Sequence, residues 1–508
     1  MEIIMKKRIL SLILALLMIA PAMASCSESE VQKQNEAETA GTSANTEPSD
    51  SAAEETEETR PYYESRIPEG LDYDGYDIKF LSGYEQDSLR DLEDENTGDI
   101  VVDAYWRRNE VLKNKLNVTL SMPQQADHLT FVSKAQQAVA AGTNDYQVFT
   151  GHTRHHATIA ASGYLMNLNN VGAMEYIDLS QPYWNESFMN NVNYQDNLFW
   201  LGGDMTHNVL SYIYCVFVNS ALLEDHHTGM NIYDLVFEGK WTLDKLSELS
   251  EGVYRDTNGN GQRDDTDQYA VIQQEGHTLN GMFFAAGVEF TGFNEEGEYA
   301  IILNSEHTVN LFEKLHTMFC VNENNTLYSN ADFNTKSTEL FTQDRLLFCP
   351  QMFQFAGTDG VREMETDFYV IPMPKYDENQ ENYRAIQWDG VPVYGVPTSL
   401  PEDMIPMVSI FLESCCAVTS ELVLPAYYDV ALKNKYSRDP VAAQMMDIIK
   451  SNVTSDFAFL WGESVSNIID FLYLNIRNDN IASAMKSSTK MWNKQLGRLI
   501  DKLEEASE

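Results

Sequence analysis

Between residues 76 and 161 the apolar pattern switches back and forth between a period of two and a period of 3.6. That alternation constrains the fold more than any other feature of the chain. Tyr76 to Leu81 (YDIKFL) reads as a strand closed by Ser82-Gly83. Residues 100–116 read as a helix, with Val101, Ala104, Tyr105, Val111, Leu112 and Leu116 on one face and charged residues on the other. Val118 to Met122 is a second strand. Leu129, Val132, Ala135 and Val139 form a second helical stripe closed by Gly142, and Tyr146 to Thr150 is a third strand. Strand, helix, strand, helix, strand predicts a parallel sheet with crossover helices, hence an α/β fold. Ligands of such sheets sit beyond the C-terminal strand ends. Tyr84 and Glu85 occupy one such loop, and His152, Thr153 and Arg154 occupy another.

Further along, Ser211 to Asn219 is β-rich, and residues 240–254 read as a helix with Thr242 as N-cap. Leu346 to Cys349, Phe368 to Pro372 and Val391 to Val396 read as strands. From 404 onward the pattern is helical, with Pro425 and Pro440 as starts or breaks. No apolar run after Ala20 reads as long enough to span a membrane.

The N-terminus predicts export and anchoring. Lys6, Lys7 and Arg8 precede an apolar stretch from Ile9 to Ala20, followed by Met23-Ala24-Ser25-Cys26. Small residues before a cysteine resemble the bacterial lipobox. This implies a signal peptide over 1–25, a diacylglycerol on Cys26 and an extracytoplasmic protein held to the cell membrane. Residues 27–60 are rich in Ser, Glu, Thr and Ala without an aromatic residue, so 26–61 is expected to be a disordered acidic tether. The formal net charge of −43 argues against nucleic acid or anionic lipid as a partner. Cys215, Cys320, Cys349, Cys415 and Cys416 lack a regular spacing and read as buried thiols.

A run of short motifs then appears in a fixed order. It begins with Asp103-Ala104-Tyr105 and Arg108-Asn109, Ala141-Gly142 and Asp145-Tyr146, Gly163-Tyr164-Leu165 and Gly203-Asp204. It continues with Val218-Asn219 and Leu222-Leu223, Tyr233 to Val236 leading to Gly239-Lys240-Trp241-Thr242, and Asp267-Gln268-Tyr269. It ends with Pro372 to Tyr376, then Pro425 to Tyr428 and Lys435-Tyr436. This order resembles the family 1 extracellular solute-binding proteins of ABC importers, the maltodextrin and sugar type. The resemblance implies a two-lobed fold of the periplasmic-binding-protein type II class. Its first lobe would be 62–210 with 370–416, and its second 211–369 with 417–508. Crossings would lie near 205–215, 366–374 and 415–422. It also implies a monomeric receptor that passes a small solute, foremost a carbohydrate, to a membrane permease, and not an enzyme.

Sugars offer hydroxyl groups at their edges and C–H groups on their faces, so aromatic and polar side chains should mix in the cleft. The resemblance points to His152, Thr153 and Arg154, to Tyr212 at a crossing, to Phe353 after Gln351-Met352, and to Trp388 and Asp389. It adds Trp461 as a late stacking ring, beside Tyr84 and Glu85. Trp241 reads as packing. Alternatives are a peptide receptor, a metal receptor using His152, His155 and His156, and a surface glycoside-acting enzyme. No G-x-S-x-G, H-E-x-x-H or phosphate-loop motif supports an enzyme.

One local motif stands apart. Asp256, Asn258, Asn260, Gln262, Asp264 and Asp267 fill positions 1, 3, 5, 7, 9 and 12 of a twelve-residue loop, with Gly261 at the sharp turn. That matches the EF-hand ligand plan and predicts a structural calcium ion.

Overall fold

The structure, a computed structural model, describes residues 67–83, 98–125, 129–169, 176–192, 197–433 and 440–505. All lie in one compact unit, Thr59–Glu508. Cys26, the segment 26–61 and the loop residues Tyr84 and Glu85 lie outside the described residues.

The first sheet follows the hydrophobic pattern. β1 (Tyr76–Ser82), α1 (Ile100–Leu116), β2 (Val118–Gln125), α2 (Phe131–Ala140), β3 (Val148–His152) and α3 (Thr153–Ala160) succeed one another. β1 pairs in parallel with β2 on one side and β3 on the other, which requires the crossover helices. α1 starts where the Asp99 carboxylate accepts the Val101 and Val102 N–H groups, and stops at Asn117 in the left-handed region (φ 50°). At the mouth of the sheet, Gly83 lies against the Phe131 ring so closely that a Cβ there would come within 2.7 Å of it. Only glycine lets the backbone approach this near.

The second sheet is built from β4 (Tyr214–Asn219), β5 (Tyr269–Glu275), β8 (Thr326–Ser329), β9 (Leu346–Met352) and β10 (Phe368–Ile371); the short hairpin β6 (Thr291–Phe293) and β7 (Tyr299–Ile301) stands apart. The order is β10-β4-β9-β5-β8. β5 runs parallel to both β8 and β9, while β4 is antiparallel to β9 and β10. β11 (Pro392–Gly395) returns to the first sheet, antiparallel to β3. The helix before β5 spans Leu243–Ser250, shorter than expected, with the Thr242 hydroxyl accepting the Lys245 N–H as its cap. Trp241 is fully buried, as expected.

Three connecting segments run side by side between the sheets. The Trp388 N–H donates to the Tyr212 carbonyl at 2.9 Å, and the Tyr214 N–H to Ile386 at 3.2 Å. The Ala385 N–H donates to Asn452, and the Thr454 N–H returns to Ala385, both at 2.9 Å. The crossings are therefore 212–214, 385–388 and 452–454, and two of the three expectations need correction. The second crossing comes later than 366–374 because β10 stays in the second sheet, Phe368 opposite Asn219. The third comes later than 415–422 because α4 (Ile405–Lys433) runs unbroken through that stretch. Its Val423 packs with Val101, Ala104 and Tyr105 of α1. The expected lobe boundaries shift accordingly: 370–371 belongs with the second sheet, and 417–423 with the first. Pro425 sits inside α4 and does not break it.

α4 also corrects the expectation about apolar runs. Glu402–Tyr428 is long and apolar enough to cross a membrane, yet 83% of its apolar window is buried inside the protein. Its buried Glu413 accepts the Tyr183 hydroxyl at 2.5 Å, the Trp184 indole N–H at 2.9 Å and the Asp178 N–H at 3.2 Å. This is a core helix. Cys215, Cys349, Cys415 and Cys416 are buried thiols, and Cys320 is half-buried.

Candidate ligand-binding cleft

The cleft begins at the C-terminal end of β3. Thr153 is fully buried, and both its N–H (3.3 Å) and its hydroxyl (2.9 Å) donate to the Asp389 carbonyl. This clamp holds Asp389 against Arg154, whose Nη2 lies 2.7 Å from Oδ2 of the carboxylate. The Asp389 side chain is 2% exposed and that of Arg154 21%. Burial works against the Arg154 charge, but the carboxylates of Asp389, Asp470 and Glu463 outweigh it and the guanidinium is held more firmly protonated.

Trp388 stands on the middle connecting segment, half-buried, within a ring of aromatic neighbours. Its centroid is 5.3 Å from Tyr212 at 75°, 5.4 Å from His152 at 78° and 5.9 Å from His277 at 57°. The near-perpendicular Tyr212 and His152 pairs set ring edges against ring faces. Gly390 permits it, since a Cβ there would come within 2.4 Å of the indole. His277 enters from the second lobe, just past the end of β5, and lies 5.7 Å from the Tyr473 ring.

A C-terminal stretch links the two walls. Glu463 accepts the Thr158 hydroxyl at 2.6 Å and lies 3.9 Å from the His155 imidazole, both on α3. Asp456, buried, accepts the N–H groups of Phe290 (3.0 Å) and Thr291 (3.1 Å) on the second-lobe side. Asp470 takes the Tyr473 hydroxyl. Burial raises its carboxyl pKa, with Tyr473 and Arg154 pulling the other way. Burial also pushes the Tyr473 phenol up. Among the described residues, Arg154 Nε, Trp388 Nε1, His277 Nδ1 and Asp470 Oδ1 are buried atoms without a hydrogen-bond partner. An unmet indole N–H and three more such atoms beside it are what a polar ligand would satisfy.

His152, Thr153, Arg154, Tyr212, Trp388 and Asp389 lie together in this cluster. Two expected residues do not. Trp461 is fully buried, 4.6 Å from Trp200 and stacked 5.7 Å from Phe457, so it is core and offers no free face. Phe353 is buried in the second-lobe core beside Phe355 and Val361. Five residues of the cluster were not expected to hold a ligand: His155, which sequence reading weighed only as a metal ligand, and His277, Glu463, Asp470 and Tyr473. His277 follows β5, whose run YAVIQQE gives no clear alternation. Reading that strand would have placed Gly276-His277 at the strand-to-helix turn at its C-terminal end. Asp470 and Tyr473 lie among short turns and carry no sequence signal.

The cavity beside Trp388, lined by Thr153, Asp389 and Ser455, holds about 10 Å³, room for about one water molecule. A larger cavity of about 400 Å³ shares Phe188, Gln387 and Val391 with it and runs past Trp184, Asp204 and Lys450. Its volume suits a ligand. Its aromatic rings do not, because Trp184 and Phe188 are both buried and the Trp184 indole N–H already donates to Glu413. The chemistry therefore centres on Trp388.

His156 faces the first-lobe core, where burial lowers its pKa to about 4, and it contacts the Phe149 and His152 carbonyls at 3.1 Å. No group of three His, Cys, Asp or Glu among the described residues is placed to hold a metal ion.

The loop from Asp256 to Asp267 keeps its turn-forming pattern. Asp256 accepts the Gly259 and Gly261 N–H groups at 2.8 Å, and Gly261 has φ 70°. Asp264 draws in the Asn258 and Asn260 amides, and hydrogen bonds from Thr266 first, then from these amides, hold its pKa low. Asp267 is buried and takes the Tyr254 hydroxyl at 3.0 Å.

No family model matches the chain, and no curated protein matches it. Solved structures do. An ABC substrate-binding protein from Listeria monocytogenes, in complex with cycloalternan, superposes with a TM-score of 0.52 at 13% identity, covering 84% of this chain and 100% of the other. An ABC transporter solute-binding protein from Thermotoga lettingae, bound with α-D-tagatose, gives 0.53 at 15%, covering 83% and 100%. The GacH receptor of Streptomyces glaucescens, whose structures include a complex with acarbose, gives 0.52 at 12%, covering 83% and 99%. The chain has the two-lobed α/β fold of these binding proteins.

Proposed function

We propose that this chain is the extracytoplasmic solute-binding receptor of an ABC importer and that it takes a carbohydrate between its lobes. The observation that carries this is Trp388, half-exposed on the central connecting segment and ringed by Tyr212, His152 and His277, with the Arg154–Asp389 pair beside it. An aromatic face next to buried donors and acceptors fits a ring with polar edges. Neighbours of the same fold bind cycloalternan, tagatose and acarbose. The cavity of about 10 Å³ cannot hold a sugar, so loading requires the lobes to part at the three connecting segments. In this reading the protein works as a monomer, is not an enzyme, and hands its cargo to a permease. The lipid on Cys26 and the acidic segment behind it keep the receptor near that permease.

The test is a thermal-shift screen of mono- and oligosaccharides on the protein without its signal peptide. At least one sugar should raise the melting midpoint. A flat response across the screen, with a shift from peptides or zinc instead, would transfer the function to those classes.

We further propose that the loop Asp256–Asp267 takes calcium as a structural ion. The donor set is oxygen-rich, as calcium requires. Asp264 would have to release Asn258 and Asn260, whose side-chain carbonyls then turn to the ion. Millimolar calcium should raise the melting midpoint relative to chelator, and equal midpoints would refute it.

A further inference from the structure

The charges around Trp388 do not balance, and the imbalance bears on the ligand. One guanidinium, Arg154, interacts with three carboxylates, Asp389, Asp470 and Glu463. The Asp389 charge is matched by Arg154 at 2.7 Å, although the facing Oδ2 makes no hydrogen bond among the described residues. Glu463 is held by the Thr158 hydroxyl and lies 3.9 Å from the His155 imidazole. Asp470 receives the Tyr473 hydroxyl, and its Oδ1 is buried with no hydrogen-bond partner among the described residues. The nearby second-lobe cation, Arg477, is paired with Glu275. The remaining titratable groups at the site are the imidazoles of His152, His155 and His277.

A buried carboxylate oxygen without a donor is unfavourable, and an incoming ammonium supplies both a donor and the missing charge. An incoming carboxylate would meet three like charges and an arginine already engaged. We infer that the cleft selects a sugar bearing a protonated amine, with the amine at Asp470, over the matching neutral sugar, and rejects the matching uronic acid. This rests on the carbohydrate reading given above and names the substrate class within it.

The test is isothermal titration at pH 7.5 with glucose, galactose and mannose, each in neutral, 2-amino and uronic acid form, and with cello- and chitosan oligosaccharides. The amino form should bind about tenfold or more tightly than its neutral counterpart, with the uronic acid weakest. In Asp470→Asn the ratio of amino to neutral affinity should fall toward one. Should that variant fold poorly, salt gives the same answer on the wild type. Amino-sugar binding should weaken between 0.05 and 0.5 M NaCl and neutral-sugar binding should not. Equal affinities for the neutral and amino forms, or a preference that survives Asp470→Asn, would overturn the inference while leaving the carbohydrate reading intact. If no member of the panel binds, the carbohydrate reading fails and this inference with it.

Discussion

Trp388 and Trp461 look alike in the sequence, each within two positions of an acidic residue and of a glycine, and the structure gives them opposite surroundings. Trp461 is fully buried against Trp200, Phe457 and Phe199. Trp388 is half-exposed against Tyr212, His152 and His277, all of which carry polar atoms. Both indole N–H groups are buried without a partner among the described residues. What separates them is the company each ring keeps. Around Trp461 the neighbours are aromatic core rings, and the two unmet indole N–H groups, its own and that of Trp200, lie inside a large hydrophobic contact. Around Trp388 the unmet groups include Arg154, His277 and Asp470, on both walls of one cleft. Exposure alone would distinguish a core ring from a surface ring; the clustering of unmet polar atoms distinguishes a binding ring.

The comparison breaks most readily through stability. Trp461→Ala should lower unfolding stability by about 3–5 kcal/mol, because it empties a close-packed site. Chemical denaturation checks this, and a loss below about 1 kcal/mol would mean the ring is not core. Trp388→Ala should lower stability less in the same measurement, since its ring is only partly buried. A smaller, pH-dependent effect sharpens the contrast. Burial raises the Asp470 carboxyl pKa, so folding favours its protonated form. That contribution is full below the unfolded aspartate pKa and is lost as pH rises through the folded value. Relative to wild type, Asp470→Asn should therefore gain stability as pH rises from 3 to 8. A difference constant over that range would contradict the assigned burial effect.

The first lobe was legible because its signals are local. β1, α1, β2, α2 and β3 each carry their own periodicity, and the C-terminal end of β3 delivered His152, Thr153 and Arg154 to the cleft. The second lobe was less so. β5 is buried for most of its length and β8 is four residues long, so neither shows an alternating pattern. The crossings were misplaced for a tertiary reason. α4 is bound along one side by α1 and by the buried Glu413 bonds, which override the helix-breaking tendency of Pro425. Trp461 was misjudged because a tryptophan before a glycine resembles a loop platform, and only packing reveals Trp200 beside it. Asp470 and Tyr473 reach the cleft through contacts far apart in sequence, which no local motif encodes.

The central claim is that Trp388 is the ligand platform. The most direct measurement is the dissociation constant, by titration calorimetry, of the best sugar from the screen for wild type and Trp388→Ala at matched fold stability. Loss of the stacked face should weaken binding by about tenfold to a hundredfold. A variant that binds as tightly as wild type would contradict the account and move the site elsewhere, first to the cavity of about 400 Å³ beside Trp184 and Asp204.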